Sequence, residues 1–219
     1  MSSIRVENVT KSFGKTQVLN GVGFEVSEQS QVSLVGMSGS GKSTLLYILG
    51  GLDKPDSGTV LIDDHKITSM EDEQLAIFRN SEVGFVFQFH YLLPSLKCID
   101  NLLLPAKIGG KKISDVKKYV EELSEKLGVT HCLNKFPYEI SGGEQQRINI
   151  IRAISLNPKM ILCDEPTGSL DSKNSKIVIE LLKSISSNIK ATLIVVTHDA
   201  SVASQFSRKI TIEDGRIIG

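Results

Sequence analysis

Gly36, Met37, Ser38, Gly39, Ser40, Gly41, Lys42, Ser43 and Thr44 read GMSGSGKST, a match as far as Ser43 to the pattern GxxxxGK[ST]. Glycines at 36, 39 and 41 let the backbone curl so that successive N–H groups aim at phosphate oxygens, and the helix expected next adds partial positive charge at its N-terminus. In such a loop Lys42 reaches the β- and γ-phosphates of a nucleotide, and the Ser43 hydroxyl ligates Mg²⁺. The apolar run Val32 to Val35 directly upstream and LLYILG directly downstream supply the strand and helix that the pattern requires.

A second group of chemistry-bearing residues follows Met160 to Cys163, where Asp164 and Glu165 place two carboxylates at the end of a buried strand. Asp164 is suited to hold hydrated Mg²⁺, and Glu165 to polarise the water that attacks the γ-phosphate. An apolar run ending in Asp-Glu is ambiguous by itself, since many strands end in acidic loops. The phosphate loop upstream decides for catalysis. His198 follows Leu193 to Thr197 at another strand end, where it can donate to the γ-phosphate as hydrolysis proceeds. ATP and Mg²⁺ are therefore the expected ligands.

The elements that must position these residues are short apolar runs rich in Val and Ile: Ile4 to Val9, Phe24 to Val26, Val32 to Val35, Val60 to Ile62, Val83 to Phe87, Met160 to Cys163 and Thr192 to Val196. The later, continuous runs read as strands buried on both faces between helices. Asp214 and Gly215 mark a hairpin turn. Helical spacing is clearest in Ser114 to Leu127, with Val116, Val120, Leu123 and Leu127 on one face, and in Ser172 to Ser187, with Ile177, Leu181 and Ile185. The fold expected is α/β: a phosphate-loop NTPase core with a mixed sheet and flanking helices, an N-terminal antiparallel β part, and a helical subdomain inserted at about residues 90–155. Residues 1–219 read as one domain.

Apolar residues make up 40% of the chain and charged residues 23%, values of an ordinary globular protein. Twenty-five basic residues balance twenty-five acidic ones, so no nucleic-acid partner is expected. Cys98, Cys132 and Cys163 are widely spaced, with no metal or disulfide framework and a reducing setting implied. No run of about 18 apolar residues offers a membrane span, so any membrane role must use partner chains.

Ser141-Gly142-Gly143-Glu144-Gln145-Gln146-Arg147 resembles the signature motif of the ABC (ATP-binding cassette) family. A hydroxyl and backbone N–H groups at the start of a helix make this a second anion site. The resemblance covers essentially the whole chain and implies further roles: Phe13 stacks on adenine, Gln88 is the Q-loop residue near the metal and the attacked phosphate, Ser169-Leu170-Asp171 is the D-loop, and His198 is the switch. On the residues alone, Phe13 is equally a core aromatic and Gln88 a solvated loop residue. The family's arrangement implies a head-to-tail dimer in which each ATP lies between one subunit's phosphate loop and the other's signature helix, the second subunit being identical to the first.

Within the family, LLYILGGLDKPDSG, FRNSEVGFVFQFHYLLP and DEPTGSLD are similar to the lipoprotein-releasing and macrolide-exporter-like group. That likeness implies an ATPase at the cytoplasmic face of the inner membrane. There it would drive a separate permease in lipoprotein release, with Phe89 to Leu104 as the docking segment. Macrolide or antimicrobial-peptide export and cell-division regulation are the alternatives within the group. For Leu92 and Leu93, docking and core anchoring weigh evenly. A soluble ATPase acting on DNA or ribosomes fits less well, because neither a coiled-coil insertion nor a duplicated cassette is present. Gln29-Ser30 stands where relatives have Gly-Glu, so a left-handed residue in the turn Glu28 to Gln31 would be costly.

Overall fold

The structure, a computed structural model, describes residues 2–168 and 170–218, with Ser2, Ser3 and Ser172 described by their backbone alone. In chain order, the hairpin β1 (Ser2–Phe13) and β2 (Thr16–Ser27) leads into β3 (Gln31–Val35), α1 (Lys42–Leu49), β4 (Ser57–Ile62), β5 (His65–Lys66), α2 (Asp72–Glu82) and β6 (Val83–Phe87). Three helices follow, α3 (Cys98–Ile108), α4 (Ile113–Lys126) and α5 (Gly142–Ile154). The chain returns through β7 (Met160–Asp164), α6 (Ser172–Asn188), β8 (Thr192–Thr197), α7 (Ala200–Ala203), β9 (Arg208–Glu213) and β10 (Arg216–Ile217).

Two sheets result. One is antiparallel, ordered β2-β1-β4-β5; the other is ordered β10-β9-β3-β8-β7-β6 and is parallel except for β9 with β10. Side chains of the parallel strands alternate between two apolar cores. Ile161, Cys163, Leu193 and Val195 point into the core shared with α3 to α6. Met160, Leu162, Ile194 and Val196 point into the core shared with α1 and the antiparallel sheet. Continuous apolar runs are what a sheet covered on both faces requires. The expected hairpin is present, with Asp214 at φ 46° and Gly215 at φ 72° as the two turn residues joining β9 and β10.

Three local readings need correction or extension. β1 and β2 each span twelve residues, well beyond the runs Ile4 to Val9 and Phe24 to Val26. Register shifts between Val6 and Val9, Val9 and Lys11, and Lys11 and Ser12 interrupt the alternation, so the pattern of two breaks off early. On α6, Ile177 is 51% exposed, and the buried face runs through Val178, Ile179, Leu182 and Ile185. At 100° per residue, Ile177 falls on the opposite side from the centre of that stripe. In the turn before β3, Gln29 does adopt φ 57°, the left-handed conformation usually left to glycine, and its N–H donates to Thr192 Oγ1 at 3.0 Å.

Candidate active site

The parallel strands end in register. Phe87 stands opposite Asp164, Asp164 opposite Val196, and Val35 opposite Thr197. The next residues, Gln88, Glu165, His198 and Gly36, therefore leave the sheet along one edge, the carboxyl edge where α/β proteins place ligands. Phe13, Val18, Ser38, Gly39, Gly41, Lys42, Ser43, Thr44, Gln88, Glu165 and His198 line a single open cleft there.

The phosphate loop requires its glycines for two reasons. Gly41 has φ 101° and forms the N-cap of α1, and a Cβ there would come within 2.8 Å of the Val18 carbonyl. A Cβ on Gly36 would collide with the Ile212 carbonyl and reach the Ser40 hydroxyl, so the loop passes against β9 with no room for a side chain. Ser40 is buried beneath the loop and Met37 is exposed; neither is among the cleft's lining residues. Lys42 lies inside the curl and donates to the carbonyls of Gly36 at 2.9 Å and Met37 at 2.7 Å. Burial lowers its pKa, and the Glu165 and Asp164 carboxylates oppose that shift. Its ammonium is thus the cationic group in a curl otherwise faced by carbonyl oxygens and two carboxylates.

Asp164 has both oxygens engaged. Ser43 Oγ donates to Oδ1 at 2.9 Å, and Tyr47 OH donates to Oδ2 at 2.9 Å. Ser43 and Asp164 together offer hard oxygen donors at one point, the ligand chemistry that suits Mg²⁺. Tyr47 was not foreseen, although it lies four residues after Ser43 on the same face of α1 and that spacing is the signal. Burial and the adjacent Asp164 carboxylate push its hydroxyl up to about 12, so it stays a proton donor.

Glu165 has φ 46° and its N–H donates to the Val196 carbonyl at 3.1 Å. Its Oε1 accepts the His198 backbone N–H at 3.1 Å and lies 2.7 Å from His198 Nδ1. The carboxylate and imidazole are thus a bonded pair at the mouth of the cleft. Phe13 is 53% exposed, with Lys11 Nζ 5.2 Å from its ring centroid, so it is not a core aromatic. An exposed ring at the cleft edge is available for stacking.

The remaining sequence-derived residues lie elsewhere. Ser141, Gly142 and Gly143 open α5 and do not line the cleft. Ser141 N–H and Oγ donate to Glu144 Oε2 at 2.8 and 2.7 Å, a capping box. The Ser141 hydroxyl, its N–H and His131 hold the Glu144 carboxyl down at about 2. Further along α5, buried Gln146 donates to the Pro166 carbonyl at 2.9 Å, one residue beyond Glu165. Asp171 caps α6, accepting the Asn174 N–H at 2.9 Å; Ser169 lies outside the described residues. In the segment after β6, Phe89 is 73% exposed and Tyr91 and Leu93 are exposed, whereas Leu92 packs on the core. Leu92 is thus a core anchor, and Leu93 is not.

The ABC transporter family pattern matches residues 19–168. The chain is 44% identical over 217 residues to the lipoprotein-releasing system ATP-binding protein LolD of Leptospira interrogans, covering 99% of this chain and 91% of that one. It is 42% identical to LolD of Bacteroides thetaiotaomicron, covering 98% of each. Among solved structures, the dimeric MJ0796 bacterial ABC transporter cassette superposes with a TM-score of 0.90 at 38% identity, covering 99% of this chain and 97% of that one. A dimeric post-hydrolysis state of the same cassette bound to ADP and Pi gives 0.86 at 36% identity, with the same coverage.

Proposed function

This chain belongs to the ABC transporter family as an ATP-binding and ATP-hydrolysing subunit, and from that premise we propose that it powers a separate membrane permease in releasing lipoproteins from the membrane. The catalytic part of the reading is carried by one observation: the in-register strand ends that set Gln88, Glu165 and His198 around the phosphate loop. The cargo is supported by the relatives that bear the lipoprotein-releasing name.

In this reading Phe13 stacks on adenine. The N–H groups of residues 36–44 and the Lys42 ammonium bind the phosphates. Ser43, Asp164 and Gln88 would hold Mg²⁺, which offsets charge on the β- and γ-phosphate oxygens. Glu165 orients the attacking water and accepts its proton. His198, bonded to Glu165, donates to the γ-phosphate oxygens as negative charge builds there. Ser141, Gly142, Gly143 and Asp171 act on the ATP of a second copy, which is why they lie away from this chain's own cleft. The helical segment at about 90–155 presents Ser141, Gly142 and Gly143, and the start of α6 presents Asp171.

Phe89 to Leu104 forms the permease contact, supported by the exposed Phe89, Tyr91 and Leu93. Among the described residues no helix is long and apolar enough to cross a membrane, so attachment at the cytoplasmic face of the inner membrane is through the permease. The test is purification from membranes followed by reconstitution into proteoliposomes carrying an acylated protein. An integral subunit should co-purify, and release should require ATP and be lost in Lys42→Ala. Recovery without any integral partner, or release unaffected by Lys42→Ala, would refute the proposal.

A further inference from the structure

Glu144 also takes part in a second constellation, through its other carboxylate oxygen. His131 and Cys132 lie in the short 3₁₀ turn Thr130–Cys132 that follows α4, and Glu144 lies in the first turn of α5. His131 Nε2 is 2.6 Å from Glu144 Oε1 and 3.4 Å from Cys132 Sγ. The imidazole nitrogen, the sulfur and a carboxylate oxygen all lie within 4.8 Å of one another. Among the described residues, no other group of three His, Cys, Asp or Glu side chains converges in this way.

Without a metal the three groups are joined through the Glu144 carboxylate, which accepts from the His131 imidazole and from the Cys132 thiol. A cation at the centre takes a lone pair from each. Tetrahedral zinc, with bonds of about 2.0–2.3 Å, needs donors roughly 3.5 Å apart, so the three atoms must adjust by only about 1 Å. A thiolate and an imidazole select zinc over magnesium, whose oxygen donors are at Ser43 and Asp164. The outer shell is already in place. Glu144 Oε2 is fixed by the Ser141 N–H and hydroxyl, which leaves Oε1 for the metal. Solvent reaches the site through the exposed His131, while Cys132 backs it from the core.

We propose that His131, Cys132 and Glu144 form a Zn²⁺ site, with water as the fourth ligand. Binding exchanges ligands without moving electrons: the Cys132 S–H bond gives its proton to solvent as the S–Zn bond forms. Burial and the nearby Glu144 push the thiol up to about 11, so the metal must displace that proton. An occupied site would tie the turn after α4 to the start of α5, stiffening the end that carries Ser141, Gly142 and Gly143.

The test uses the untagged full chain, titrated with Co²⁺ as a spectroscopic substitute and with Zn²⁺ against a chromogenic chelator. One equivalent should bind with a thiolate-to-cobalt charge-transfer band. Cys132→Ser should abolish the band. His131→Ala, a change at an exposed side chain that leaves the fold intact, should weaken Zn²⁺ binding at least about tenfold. Cobalt bound without that band marks oxygen ligands such as Ser43 and Asp164 and overturns the proposal. Zn²⁺ affinity unchanged in His131→Ala overturns it as well.

Discussion

Asp164 would be free to rotate if it were held only by Ser43, and Tyr47 removes that freedom by taking the second oxygen. Tyr47→Phe keeps the ring and deletes the donor. The half-saturating Mg²⁺ concentration for binding a non-hydrolysable ATP analogue should rise by up to about tenfold, the usual scale for a lost outer-shell partner; an unchanged Mg²⁺ titration would count against the role. Gln29 is held at φ 57° at a site remote from the chemistry. Relief of left-handed strain, worth about 1–2 kcal/mol, exceeds the added flexibility of the unfolded chain, so Gln29→Gly should raise stability by about 0.5–1 kcal/mol in urea unfolding. At this scale the sequence is legible where chemistry is local: residues 36–44 and the pair Asp164 and Glu165 are contiguous, and their pattern carries its own meaning. Tyr47 on Asp164 and His198 on Glu165 join residues 117 and 33 positions apart; the spacing of Tyr47 from Ser43 puts it on the right face of α1, but no local pattern records the long-range partner.

The segment after β6 is strained and pinned. His90 and Tyr91 have φ 56° and 48°, and Arg152, near the end of α5, donates to their carbonyls at 2.6 and 2.7 Å. Burial lowers the Arg152 pKa to about 10, the mark of a cation taken out of water to hold this loop. Arg152→Ala should remove about 1.5–3 kcal/mol of local stabilisation. Amide exchange over residues 88–93 should accelerate by about tenfold or more, and permease-stimulated turnover should fall further than basal turnover; unaltered exchange would show that the clamp is incidental. Element readings succeeded where periodicity was undisturbed, as on α4, where Val120 and Leu123 are buried and Val116 and Leu127 pack beside them. They fell short where bulges break the two-residue alternation of β1, and at Ile177 on α6, where a helix rich in Ile, Val and Leu leaves the centre of its stripe ambiguous although Leu181 and Ile185 do pack on the core.

The parallel sheet separates two cores, one beneath the phosphate loop and one beneath the signature helix, and buried Gln146 links α5 to the loop that carries Glu165. On the function proposed above, such a body holds a phosphate site on one edge and, at Ser141 to Gly143, a helix start that does not line its own cleft. Two copies placed head to tail would bring the two together, with ATP as the bridge and dimerisation as its consequence. The most direct measurement is light scattering of Glu165→Gln with and without Mg²⁺ and ATP, alongside phosphate release. The expected result is a monomer without nucleotide, a stable dimer with it, and turnover reduced by at least about 10²-fold. A variant that stays monomeric with ATP, or that hydrolyses it at the wild-type rate, would refute an ATP site shared between two copies with Glu165 as its base.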